Sequence, residues 1–218
     1  MPELATLLLQ FFVLTVSLSV HEAAHAWTAF RLGDDTAARM GRLSLNPLVH
    51  MDPLGSLMML SGMFIGWAKP VPVDARNIRN PRSGLPLVSF AGPLSNILLG
   101  IAFCLVFALA SSRLSPGSGS YLLIVFFIKT NFALAIFNLL PVYPLDGSKI
   151  ITVFMPDRMA DQYEERIMRL GMFPLVILIA FEFLPFGKGI LGLWFQLWSP
   201  LVRPILMLFG IPPWLLGY

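Results

Sequence analysis

The chain has 218 residues, of which 56% are hydrophobic and 12% charged, with a mean hydropathy of +0.76. Soluble domains carry about 25% charged residues, so this composition excludes an ordinary soluble protein and points to an integral membrane protein built of helices, which satisfy their own backbone hydrogen bonds in lipid. The net charge of +3 comes from basic residues spread along loops, which excludes a nucleic-acid surface, and the single cysteine, Cys104, excludes an internal disulfide and reads as a packing residue in an apolar run.

Leu4 to about Phe30 reads as one long helix, sufficient at ~1.5 Å per residue to cross a ~30 Å hydrocarbon core. Glu3, with no Lys or Arg before the apolar run, argues against a cleaved signal. The helix becomes more polar at Thr15, Ser17 and Ser19 and then carries His21-Glu22-Ala23-Ala24-His25. Residues four apart stand one above the other on a helix, so His21 and His25 can share a metal ion. Glu22 points beside them, where it can take a proton from water at the metal. Ionisable residues in a membrane segment are costly and functional by default.

Arg31-Leu-Gly33-Asp34-Asp35 ends this helix, with Gly33 as its cap and both aspartates as exposed turn residues. Residues 36–53 are mixed and suit short strands or a hairpin at the membrane surface. Leu54 to Trp67 is apolar but short, as in a re-entrant or interfacial segment. Lys69 to Pro86 is loop. Leu87 to Ala110 is a second membrane helix, interrupted at Gly92-Pro93, and Tyr121 to about Leu140 is a third. Pro141 and Pro144 then break the backbone before Leu145-Asp146-Gly147. Asp161 to Leu170 reads as a surface helix, and Leu170 to Leu184 and Ile190 to Phe209 are further apolar segments. The expected fold is an all-α polytopic membrane protein with four to six membrane helices and a short β or re-entrant insertion between the first two confident ones. It forms one domain over 1–218, with a core at about 4–150 and C-terminal membrane segments at about 170–210.

Basic residues fix the orientation. Arg31, Arg39, Arg42, Lys69, Arg76, Arg79 and Arg82 lie between the first and second helices, and Lys149, Arg158, Arg166 and Arg169 follow the third, whereas the 111–120 turn holds only Arg113. The positive-inside rule places 31–86 and 142–169 in the cytoplasm. His21, Glu22 and His25, the Gly92–Asn96 stretch and the Asn138–Asp146 stretch then meet at one depth near the cytoplasmic face.

Two histidines do not complete a catalytic zinc site, which usually has three protein ligands. Thr28 and Arg31 stand where one soluble protease pattern has its Gly and third His, and the next glutamate after Glu22 is Glu164, in the surface helix. Among His50, Asp34, Asp35, Asp52, Asp74 and Asp146, the last is the best candidate, because an apolar helix carries it to the histidines' depth. His50 suits a structural or substrate-side role better than direct ligation. Lys129 and Glu182 are isolated charges in apolar runs, read as snorkelling or paired. Asn138 reads as a backbone-satisfying residue at a broken helix end.

The ordered set His21-Glu-Ala-Ala-His25, Gly92-Pro-Leu-Ser-Asn96 and Asn138-Leu-Leu-Pro-Val-Tyr-Pro-Leu-Asp146-Gly147 resembles the site-2 proteases, intramembrane zinc metalloproteases. Asn46-Pro-Leu-Val-His50-Met-Asp52-Pro-Leu-Gly55 and Gly66-Trp-Ala-Lys-Pro-Val-Pro resemble a compact bacterial branch, without the PDZ or CBS domains of many relatives. The resemblance implies Asp146 as third ligand, Glu22 as catalytic base and Asn96 beside the bound substrate strand. It also implies one Zn2+ per chain and a multi-pass bacterial inner-membrane protein. Its substrates would be single-span membrane proteins, such as anti-sigma factors, or signal-peptide remnants. An extended substrate could add to a strand edge supplied by 36–53 or 54–67. The rival reading is a membrane metal transporter or sensor using the same ligands. Transporters often show repeated halves and an ionisable path across the bilayer, and this sequence shows neither.

Overall fold

The computed structural model describes residues 2–63, 66–182 and 189–216. The first helix, α1 (Pro2–Arg31), runs unbroken through the His-Glu-His group. Its end follows from Gly33, whose φ of +112° suits a residue without a Cβ. The connection to the second long helix holds α2 (Thr36–Arg39), α3 (Pro47–His50) and α4 (Pro53–Met58), the last continued by a π-helical turn at Met59–Met63. Beyond it come α5 (Pro81–Ala110), α6 (Gly119–Asn138), α7 (Gly147–Ile150), α8 (Asp157–Leu170), α9 (Phe173–Glu182) and α10 (Ile190–Leu208).

The protein is an all-α polytopic membrane protein. Among the described residues, four helices are long and apolar enough to span a bilayer: Leu4–Arg31, Pro81–Arg113, Gly119–Asn138 and Ile190–Leu208. Their outer faces are apolar and exposed, as on α10 at Leu193, Leu197 and Leu201, which is what contact with lipid tails requires. α1, α5 and α6 pack together as the central bundle. Cys104 and Phe132 anchor a core between α5, α6 and α10, and Gly100 lets the Phe132 ring lie close against α5. The expected packing role of Cys104 matches its complete burial.

The expected strands are not found among the described residues. Residues 36–53 hold two one-turn helices joined by irregular backbone, and the β pairing is a single antiparallel bridge between Met51 and Ala68. The physical reason lies in Asn46-Pro47 and Asp52-Pro53. Each is an N-cap followed by proline at the first helical position, not a hairpin turn. The Asn46 side chain accepts from the Leu48 amide at 3.1 Å and that of Asp52 from the Gly55 amide at 2.8 Å. The 54–67 segment folds as α4 and the π turn, packed against α1, with Phe64 and Ile65 outside the described residues. Residues 183–184 of the expected 170–184 segment are also outside them.

Asp34 departs from expectation too. Instead of an exposed turn residue it is fully buried and fastens three parts of the connection. Its carboxylate accepts from the Thr36 amide and hydroxyl, from the Asp74 amide at 2.7 Å and from the Asn77 side chain at 3.1 Å. Burial pushes this carboxyl up, but the hydrogen bonds from the Thr36 hydroxyl, the Asp74 amide and Asn77 outweigh it and hold the group below its ordinary value. Asp35 is partly exposed and pairs with Arg39 at 2.7 Å. Arg82, at the start of α5, makes a second fastening: it donates to Asp157 at 2.8 Å and to the carbonyls of Thr152 and Met155 at 3.0 and 2.6 Å. The two basic loops therefore lie at the same end of the bundle.

Replacing Asp34 with Ala strands these donors and is expected to lower stability by about 2–4 kcal/mol, read as a lower melting temperature in detergent. A depressed folded-state pKa stabilises above the unfolded value, and that contribution is lost as pH falls through the folded one. Wild-type stability should accordingly drop below about pH 4, and the Asp34→Ala variant should show a smaller drop.

Candidate metal centre

The helical repeat of α1 puts His21 and His25 on one face, with ring centroids 4.6 Å apart and planes at 87°. Their Nε2 atoms are 3.0 Å from each other, and Asp146 Oδ2 lies 3.2 Å from the first and 3.4 Å from the second. Zinc bound tetrahedrally to N and O donors at ~2.0–2.2 Å would require donor separations of ~3.3–3.5 Å, so the triangle nearly has the right dimensions as it stands.

The protons of the site point the same way. Each histidine's other ring nitrogen faces an oxygen: His21 Nδ1 donates to Asn96 Oδ1 at 2.7 Å and His25 Nδ1 to the Val88 carbonyl at 2.7 Å. A carbonyl can only accept, so Val88 fixes the His25 proton on Nδ1. Asn96 is oriented by its amide, which donates to Asn131 Oδ1 at 2.8 Å and to the Ser17 carbonyl at 3.2 Å. With both rings neutral, the Nε2 atoms present lone pairs, and the contact between them is then not a hydrogen bond. Asp146 Oδ2 is buried and has no hydrogen-bond donor either. Three electron-pair donors then converge on one point, an arrangement that a divalent cation satisfies.

Several local features bring the groups this close. Gly92 of α5 faces the imidazoles, and a Cβ there would lie 2.4 Å from His25 Nε2 and 2.6 Å from His21 Cε1. Pro93 has no N–H to return to the Ser89 carbonyl, which loosens this turn of α5 beside the Val88 carbonyl that His25 uses. Asp146 is set by its neighbours. Leu145 is anchored in an apolar cluster with Leu140 and Leu175. Gly147 sits so close to the end of α6 that a Cβ would lie 2.3 Å from the carbonyls of Leu139 and Leu140.

Glu22 lies beside the triangle. Its Oε2 accepts from the Val71 amide at 2.8 Å. Val71 belongs to an extended stretch whose Lys69 amide donates to the His50 carbonyl at 2.8 Å, and Arg42 donates to the Lys69 and Pro70 carbonyls.

The residues singled out from sequence are therefore placed as follows. His21, His25 and Asp146 come together, and they form the one cluster of potential metal ligands among the described residues. His50 does not join them: it is buried, and its Nε2 donates to the Ser44 carbonyl at 2.7 Å. Asn96, expected beside a substrate strand, is completely buried with its carboxamide engaged by His21, Ser17 and Asn131. Asn138 donates to the Leu134 carbonyl at 2.9 Å, satisfying backbone at the end of α6 as expected. Sequence reasoning missed the role of Gly92, the Val71 amide and Asn131, which donates to Ser17 Oγ at 2.9 Å. A carboxamide inside an apolar helix was the available signal for the last.

The family model described as peptidase family M50 matches residues 113–179, a stretch that includes Asp146. A Bacillus subtilis protein named "Putative zinc metalloprotease YwhC" is 42% identical over 158 residues, covering 68% of this chain and 71% of its own. The chain belongs to peptidase family M50, the site-2 proteases. "Putative zinc metalloprotease Rip2" of Mycolicibacterium smegmatis is 31% identical over 140 residues, 61% of this chain and 51% of that one. "Putative zinc metalloprotease MJ0611" of Methanocaldococcus jannaschii is 36% identical over 64 residues, 29% of this chain and 31% of its own. No solved structure matches the chain. As an M50 member it is a zinc metalloprotease of the cell membrane, and the lone-pair triangle fits the metal that the family uses.

Gly92→Ala should drive a methyl group into the imidazoles, so the protein should purify with little zinc by elemental analysis. Asn96→Ala should leave His21 free to turn and cost about 10–100-fold in zinc affinity, measured by competition with a chelator.

Proposed function

We propose that this M50 protein hydrolyses peptide bonds of membrane-spanning substrates near the cytoplasmic face, with His21, His25 and Asp146 holding zinc and Glu22 as catalytic base. The observation that carries the reading is the convergence of three potential ligand atoms, from His21, His25 and Asp146, beside an acidic side chain. Zinc held there supplies positive charge that polarises a scissile carbonyl and acidifies water. The chain's own groups do the rest. Asn96 and the Val88 carbonyl keep both imidazoles in the tautomer that binds metal. The Val71 amide holds one oxygen of Glu22 and so aims the other, which takes the proton of the attacking water and returns it to the leaving amine.

Depth is the second support. The ligands lie on the last turns of α1 and just past the end of α6, at the end of the bundle where the two basic loops meet through Arg82. The positive-inside rule makes that end cytoplasmic, where water can reach the site. Arg113 lies at the other end of α5, ~45 Å away along a helix of 30 residues. The proposed substrates are single-span membrane proteins or signal-peptide remnants, whose spans would reach the site from the bilayer.

Glu22→Gln separates a protease from a metal transporter with the same ligands. The variant is expected to keep its zinc yet lose about 10²–10⁴-fold in the rate of cleavage of a model membrane substrate in proteoliposomes. Full cleavage by Glu22→Gln, or none by the wild type, would overturn the assignment.

A further inference from the structure

Lys129 is the eleventh of the twenty residues of α6, Gly119–Asn138. At ~1.5 Å per residue it lies ~15 Å from one end of the helix and ~13 Å from the other. Both interfaces are beyond the reach of a lysine stem, so the expected snorkelling does not account for it. Pairing does not either: among the described residues Lys129 has no hydrogen bond and no ion pair. Glu182, the other isolated charge that lines the same space, is engaged by backbone amides. Its oxygens accept from the Leu191 amide at 2.8 Å and the Gly189 amide at 3.4 Å, at the start of α10, where a carboxylate complements the helix dipole.

Both charges line a cavity of about 570 Å³ between α1, α6, α9 and α10, which is otherwise mainly apolar. Gln10 and Leu14 of α1 form its opposite wall. An i, i+4 ridge of α1 winds from this wall to the candidate site. Gln10, Leu14, Leu18 and Glu22 are spaced four apart and make one row along the helix. Leu14 and Leu18 also line a smaller cavity beside His50, Trp67 and Met59. A chain seated against this row from the level of Lys129 would be led to Glu22.

We propose that this cavity receives a transmembrane helix bearing a carboxylate, Asp or Glu, near mid-bilayer, and that the Lys129 ammonium reads that carboxylate as a specificity determinant. An ammonium held in hydrocarbon calls for an anionic partner. Lipid does not supply one at this depth, since acyl chains carry no charge there and phosphates stay at the interface. A protein span with an acidic residue does. The proposal rests on the proteolytic reading for why such a span should come to this place. It also sets a register. Lys129 lies nine residues before Asn138, and Gln10 twelve before Glu22. These separations are ~13–18 Å along a helix, equal to ~4–5 residues of extended chain. The recognised acid should lie about 4–12 residues from the scissile bond, on its membrane-interior side.

The test uses the full chain with Glu22→Gln, in phosphatidylcholine nanodiscs. Binding of labelled transmembrane peptides is read by energy transfer from protein tryptophans. The peptides are identical except for Asp, Ala or Lys at one mid-span position. The Asp peptide is expected to bind at least ~10-fold more tightly than the Ala peptide. Lys129→Met should erase the difference, and Lys129→Glu should favour the Lys peptide, a gain that misfolding cannot produce. Equal binding of the Asp and Ala peptides, as for a generic apolar or lipid-filled groove, would overturn the proposal. So would an Asp preference that survives Lys129→Met. Because binding is read without turnover, a wild-type chain that cleaved nothing would defeat the proteolytic reading and leave the peptide preference standing.

Discussion

Two imidazole nitrogens and a carboxylate oxygen are held 3.0–3.4 Å apart. With the imidazoles neutral, these buried electron pairs repel one another unless a cation sits among them, and the rest of the bundle is organised around that convergence. The tautomer of each histidine is the decisive detail. Had either ring carried its proton on Nε2, the triangle would contain a donor and lose its affinity for metal. Asn96 and the Val88 carbonyl prevent this, one with a side chain and one with backbone.

The same contacts hold the helices together. His21 and Ser17 of α1, Asn96 of α5 and Asn131 of α6 form one connected set of hydrogen bonds, with Ser17, Asn96 and Asn131 fully buried. In lipid, where apolar surfaces gain little by meeting one another, such polar ties and close glycine contacts are what associate helices. Architecture and metal preparation are therefore one device. Gly92 shows this: its missing side chain brings α5 against α1 and leaves room for the two imidazoles.

The chain's spans and the three residues that converge at the candidate centre were legible because each rests on a local rule. Apolar runs of membrane length mark the helices, His21 and His25 are four apart, and Asp146 follows a proline-broken helix end. The connection between α1 and α5 was misread for an equally local reason. Asn-Pro and Asp-Pro signal both turns and helix starts, and mixed polarity over a few residues does not separate the two. The burial of Asp34 was hidden because its donors come from Asp74 and Asn77, some forty residues later. The contact between Glu22 and Val71 was hidden in the same way. It depends on tertiary placement of a loop whose backbone, not its side chain, meets the base.

That loop reads Lys69-Pro70-Val71-Pro72. Proline nitrogen carries no hydrogen, so of three consecutive residues only Val71 can donate to Glu22. Sliding the loop by a single position, in either direction, would confront the carboxylate with a tertiary amide. The contact has no intermediate setting: the segment is either seated with its one competent amide on the base, or the base is released altogether.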